Sequence, residues 1–212
     1  MARNKYPEET VERILDAATE LFLEKGYENT TIQDIINRLG DLSKGAIYHH
    51  FKSKEDIIIA VINRLYGTVY PVYHEIKSSK ELNGLEKLKK LFLFSVGNTS
   101  QEILVQTLPN LLKNPKFLAI QLDKTVNELA PEFIEPIILD GINDGSIQTE
   151  YPKELAEVMT MLANIWLNPF IFNCTKEQIY KKCLFFKHLM TKLNVDIFDD
   201  ELLAKLEQLG NM

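Results

Sequence analysis

The chain has 212 residues, 45% of them hydrophobic, with 24 basic against 30 acidic side chains and a formal charge of -6. That is enough for a small domain beside a larger one, and no Val/Thr-rich alternating run with hairpin turns points to a sheet. The only two cysteines, Cys174 and Cys183, fit neither a disulfide nor a metal framework and match a reducing cytoplasm.

In chain order, the first helix is the clearest. Val11, Ile14, Leu15, Ala18, Leu21 and Phe22 repeat at i, i+3, i+4, i+7 with charged residues opposite, Pro7 suits the first turn and Gly26 the end. Residues 30–56 then read as helix, tight turn, short helix and the start of a long helix. Thr30 and Gln33 have capping-box spacing, Ile32, Ile35, Ile36 and Leu39 share one face, and Gly40 is placed to end the helix in a left-handed conformation. Ser43 can cap the next helix, with Ile47 and Phe51 facing inward. Ser53 can cap the one after, with Glu55 and Asp56 where the helix dipole favours carboxylates. Such short helices bury little alone, and the first helix laid across them supplies the missing core.

Beyond them, a long connecting helix carries Ile57, Ile58, Val61, Ile62, Leu65 and Val69, and Pro71 is expected to kink or end it. Leu85, Leu88, Leu91, Phe92 and Val96 mark a helix that extends toward residue 107, with a break near Gly97. Helices are expected over 115–129 and 131–143, residues 141–147 as a loop, a long helix from Tyr151-Pro152 to Phe172, another from 175 or 176 to 193, and a last amphipathic one over 199–209. No signal peptide is expected. Residues 156–172 contain Glu157, Asn164, Asn168 and Pro169, so they read as a buried helix rather than a membrane span.

The run TTIQDI followed by LSKGAIYHHFKSKEDI closely resembles the DNA-binding signature of the tetracycline-repressor (TetR, AcrR-like) family of bacterial regulators. The resemblance spans about forty residues with the first helix, and YHHFKSKE after a glycine-containing turn makes it specific. One departure is that Asp41 and Leu42 stand between Gly40 and the Ser-Lys-Gly run, where many members have a single residue. The extra residue lengthens the turn.

The resemblance implies an all-α chain: an N-terminal three-helix helix-turn-helix DNA-binding domain over residues 1–52, and a C-terminal helical-bundle ligand-binding and dimerisation domain over 53–212. Position by position, it implies that Ser43, Lys44, Gly45 and Ala46 start the recognition helix. There Lys44 is suited to guanine acceptors and the Ala46 methyl to a thymine methyl. Tyr48, His49 and His50 match phosphate or base contacts, and Thr31, Gln33 and Lys54 match backbone-positioning contacts. Arg3 and Lys5 precede the first helix and carry a weaker signal of the same kind. Residues 153–172 and 176–193 match the family's dimer-forming helices. Met159, Met161, Leu162, Ile165 and Trp166 on one, and Leu184, Phe185, Leu189 and Met190 on the other, are apolar on several faces. An intrachain core accounts for about half of them. A small-molecule effector is implied among the helices between Tyr66 and Trp166, with Tyr70, Tyr73, His74, Gln106 and Trp166 as candidate lining.

The expected function is therefore a sequence-specific transcriptional regulator, a homodimeric repressor released from a palindromic DNA operator by the effector. It needs no cofactor, metal or membrane. The acidic total is no objection, because charges interact over roughly 8 Å at physiological salt. Locally, Arg38, Lys44, Lys52 and Lys54 face one acid, Asp41. Competing chemistry is weaker. His49 and His50 lack partners at a zinc-finger spacing, and Ser43 has no strand before it for a nucleophile elbow. A helical-bundle enzyme or small-molecule carrier whose N-terminal motif makes protein contacts is the alternative. Glu132, Glu135 and Asp140 cluster in sequence, but without the paired Glu-x-x-His of a di-iron bundle.

Overall fold

The computed structural model describes residues 7–96, 115–172 and 174–199, together with 202 and 204, and among these every regular element is helical. Gln106, Arg3, Lys5, the expected break near Gly97 and most of the expected last helix lie outside the described residues.

The described residues as far as Val69 form one compact unit. Helix α1 (Pro7–Lys25) places Ile14, Leu15, Ala18, Leu21 and Phe22 in the core and ends at Gly26, whose φ of 78° is left-handed. Against it lie α2 (Ile32–Leu39), α3 (Lys44–His50) and the first part of α4 (Lys54–Ser78). Ile35, Ile47, Phe51, Ile57, Ile58 and Val61 complete the apolar centre. Ridges of β-branched and aromatic side chains from four short or half-engaged helices thus share one core, which none could form alone.

The capping box of α2 sits one residue later than Thr30 and Gln33. Thr30 is fully buried, and its hydroxyl contacts the Leu21 and Gly26 carbonyls at 3.2 and 2.9 Å, closing the turn out of α1. Thr31 therefore takes the cap: its Oγ1 accepts from Asp34 N–H at 3.1 Å, and the Asp34 carboxylate accepts from Thr31 N–H at 2.9 Å. The Thr31 hydroxyl also donates to that carboxylate at 2.7 Å, and this bond first, then the Thr31 amide and Lys25 at 3.0 Å, hold the Asp34 carboxyl at about 2. Gly40 ends α2 with φ 73°, as its position predicted.

The residues from Tyr70 onward form a second unit. It comprises the rest of α4, α5 (Gly84–Val96), α6 (Pro115–Asp123), a π-helical stretch (Lys124–Ile134), α7 (Glu135–Asp144), α8 (Pro152–Met161), a second π-helical stretch (Leu162–Trp166), α9 (Pro169–Phe172) and α10 (Lys176–Lys192). Phe117, Phe133, Ile137, Ile138 and Phe186 are its largest fully buried side chains.

Two prolines expected to punctuate the chain do not end their helices. Pro71 lies inside α4, which runs on to Ser78. The amide that proline lacks would have bonded to Gly67, an exposed residue whose carbonyl water can reach, so the lost bond is partly replaced. Pro131 lies inside the first π-helical stretch, whose wider register carries the chain without a break from α6 to α7. Likewise the expected loop over 141–147 begins only at Gly145, left-handed at φ 81°, because Gly141 is a buried residue of α7. The long helix expected up to Phe172 is interrupted at Leu167, after the second π-helical stretch.

Of the apolar residues on α8 and α10, Met159 and Met190 are core, whereas Val158, Leu184 and Phe185 are exposed, Phe185 by 57%. Met161, Leu162, Ile165, Trp166 and Leu189 are half-buried.

Candidate nucleic-acid interface

Ser43 starts α3 by accepting a hydrogen bond from Ala46 N–H at 3.2 Å. Ile47 and Phe51 sink into the core and fix which side of α3 faces inward. The opposite side carries Ser43, Lys44, Gly45, Tyr48 and His49, all exposed, with Ala46 and His50 half-buried at its margins. Lys44 Nζ lies 5.8 Å from the Tyr48 ring centre, and the His49 and His50 rings meet edge-on at 5.1 Å. A Cβ on Gly45 would meet only Ser43 Oγ, at 3.8 Å, so internal packing makes no demand for glycine there.

Thr31 and Gln33 are also exposed, at the start of α2. Thr31 is engaged in its cap, and Gln33 Nε2 donates to Asn37 Oδ1 at 2.9 Å. Lys54 is tied further in. Its ammonium donates to the Tyr27 carbonyl at 2.7 Å and the Glu28 carbonyl at 3.4 Å, and lies 4.2 Å from the Tyr27 ring centre. Burial lowers its pKa and pushes the Tyr27 phenol up to about 12. Lys54 thereby pins the start of α4 to the turn before α2.

The local positive charge is smaller than the sequence count suggests. Arg38 reaches back to α1 and forms ion pairs with Glu20 at 2.9 Å and Glu24 at 2.6 Å. Asp41, in the lengthened turn, pairs with Arg13 of α1 at 2.6 Å. Among the described residues, Lys44 and Lys52 have no carboxylate partner, so they are the basic side chains this face offers to an anion. No local spacing rule joins Arg13 to Asp41 or Arg38 to Glu20, because the partners come from different helices, and counting charges along the chain misses both.

In the second unit, the candidate effector residues divide into two groups. Tyr70, Tyr73 and His74 surround Phe133, with ring centres 5.5, 5.5 and 4.8 Å away. Tyr70 donates to the Glu128 carboxylate, which Lys124 also approaches at 3.4 Å. The Tyr73 hydroxyl shares a hydrogen bond of 2.7 Å with Ser95, and burial raises its pKa. Trp166 belongs to another cluster: its ring meets Phe185 at 5.8 Å and Lys182 Nζ at 4.9 Å. Among the described residues no group of three or more His, Cys, Asp or Glu could hold a metal ion, and no helix is long and apolar enough to cross a membrane.

A capped short helix with a polar, solvent-facing front, held over two others by a buried apolar back, defines a helix-turn-helix DNA-binding protein. Residues 14–61 match the model described as bacterial regulatory proteins, tetR family, and residues 97–189 match the tetracyclin repressor-like C-terminal domain. The HTH-type transcriptional repressor KstR2 of Rhodococcus jostii is 30% identical over 151 residues, 68% of this chain and 70% of that one. The fatty acid metabolism regulator protein of Bacillus subtilis is 30% identical over 151 residues, 69% of this chain and 72% of that one. The crystal structure of a TetR-family transcriptional regulator from Pectobacterium atrosepticum shares the fold, with TM-score 0.66 at 18% identity over 91% of this chain and 97% of that one. The chain belongs to the TetR family of bacterial transcriptional regulators.

Proposed function

We propose that the protein is a homodimeric repressor that reads a palindromic operator with α3 and releases it when a small molecule binds the second unit. The observation that carries this reading is the outward front of α3, where Lys44, Gly45, Tyr48 and His49 are exposed while Ile47 and Phe51 anchor the back. A front without bulk at Gly45 allows close backbone approach, Lys44 donates to base-edge acceptors, and Ala46 offers a methyl. Thr31, Gln33, Ser43, Tyr48, His49 and His50 are suited to phosphate and sugar, which set the register. Lys52 joins them, and Lys54 contributes by fixing α4 beneath this face.

The homodimer is proposed on the apolar side chains that α8 and α10 leave exposed, Val158, Leu184 and Phe185. Two linked α3 helices would then address half-sites about one helical turn apart. The effector is assigned to the aromatic group Tyr70, Tyr73 and His74 about Phe133, where Glu128, Lys124 and Ser95 supply polar anchors. On this reading residues 1–52 form the DNA-binding domain and 53–212 the regulatory one. The chain works in the cytoplasm and is not an enzyme.

Selection of bound sites from random duplex DNA tests the reading and should return a palindromic consensus. On that consensus, roughly 6–10 phosphate contacts give a log-log salt slope near -5 to -9. Lys44→Ala should relax sequence preference, whereas Lys52→Ala should weaken binding to all duplexes alike. No enriched sequence, or a slope near zero, defeats the proposal.

A further inference from the structure

We propose that Arg13 and Asp41 are positioning residues for operator recognition, their ion pair setting the angle at which α3 leaves the turn. The inference rests on α3 being the recognition helix. Asp41 lies between Gly40, which ends α2 in a left-handed conformation, and Ser43, which caps α3. Asp41 and Leu42 both stand in this segment, the extra residue noted above. A longer turn has more ways to close, so some contact outside it must choose among them. Within the turn, Gly40, Asp41 and Ser43 are exposed and only Leu42 is half-buried, so packing alone holds it loosely. Arg13 supplies the outside contact: its guanidinium donates to Asp41 Oδ1 at 2.6 Å across 28 residues of sequence.

Helix α1 is a firm base for that contact. It is anchored by its buried stripe, by Arg38 of α2 on Glu20 and Glu24, and by Arg64 of α4. Arg64 bonds Glu12 at 3.0 Å, Asp16 at 2.7 Å and Thr19 at 3.2 Å. Arg13 belongs to this anchored helix, following Glu12 in sequence. From that helix the exposed Arg13 guanidinium reaches the lengthened turn three residues before Lys44. The hydrogen bond between them lowers the Asp41 carboxyl and raises the Arg13 guanidinium, so both remain charged throughout the neutral range.

The pair can be separated from a plain effect of charge near DNA, because the two residues have opposite signs. If each acted only through its field on phosphate, Asp41→Asn would tighten and Arg13→Gln would weaken binding to every duplex. Positioning instead predicts that both substitutions weaken binding to the selected operator by about two- to fivefold, with little change on random duplex. The double variant should be no weaker than either single one, and exchanging the charges, Arg13→Asp with Asp41→Arg, should recover part of the preference. The experiment measures binding of the full-length protein to the selected operator and to a shuffled duplex at one salt concentration, with Lys44→Ala alongside. Opposite effects of the two single changes, equal losses on both duplexes, or additive losses in the double variant would overturn the inference. If Lys44→Ala also leaves preference unchanged, the assignment of α3 itself fails. If Lys44→Ala relaxes preference and the pair does not, the inference alone fails.

Discussion

Replacing Gly84 by alanine should destabilise the second unit by more than its chemistry suggests. Gly84 opens α5 where that helix meets α7, and a Cβ there would lie 2.3 Å from both Cα and N of Gly141 and 2.8 Å from the Ile137 carbonyl oxygen. All three are backbone atoms of a packed helix and cannot swing aside. Carbon atoms in contact sit about 3.5–4.0 Å apart, so α5 must retreat by at least ~1 Å. That retreat breaks a dock made of several bonds. Gly84 N–H donates to Asp144 at 2.8 Å, Leu85 N–H to Ser146 at 3.1 Å, and buried Lys87 to Asp140 at 2.7 Å. Overpacking of this kind costs about 1–3 kcal/mol, and one lost backbone cap about 1 kcal/mol more. The smaller entropy of the unfolded alanine chain offsets about 0.4–1 kcal/mol of that. The expected net loss is about 1–3.6 kcal/mol, a fall in Tm of about 2–14 °C for a chain of this size. Gly67→Ala is the control. Its Cβ would meet nothing within 4 Å on the exposed side of α4, so it should gain up to about 1 kcal/mol. Thermal unfolding followed by circular dichroism reads both. Equal effects of the two substitutions, or a stable Gly84→Ala protein, would refute the argument from close backbone approach.

Phe185→Glu places a charge at the centre of the exposed apolar side of α10, so sedimentation should show a monomer that has also lost operator affinity. A dimer of unchanged strength would remove α10 from the interface. The Asp34 carboxyl, at about 2 in the folded chain against 3.8 ordinarily, stabilises α2 fully above about pH 4. Its contribution is lost as pH falls through about 2, because the unfolded chain takes up the proton first. An acid titration of wild type against Asp34→Asn should therefore show a stability gap that closes across that window. A gap independent of pH would contradict it.

The start and course of α1, Gly40 as the end of α2, Ser43 as the cap of α3 and the burial of Ile47 and Phe51 were all legible from residue type and spacing. Caps and amphipathic stripes are local: each depends on residues within one or two turns of each other. Ile47 and Phe51 facing inward turn the rest of α3 outward, but the choice of residues on that side to meet DNA was implied by the resemblance to the TetR family and not by periodicity. The shift of the α2 cap from Thr30 to Thr31 is also local in range, yet it depended on Thr30 finding two carbonyls at the end of α1.

What only the tertiary structure decided was the use of charge and of proline. Arg38 and Lys54 read as part of a basic face, but Arg38 is drawn to carboxylates on α1 and Lys54 to carbonyls of a preceding turn, leaving Lys44 and Lys52 to face solvent. Pro71 was expected to kink or end its helix and Pro131 to start one, yet neither ends its helix, the first opposite an exposed Gly67 carbonyl and the second within a wider π-helical register. For the charges the deciding partner comes from another helix or another turn of chain. A linear pattern records which groups a segment carries, while long-range packing determines where those groups find their partners.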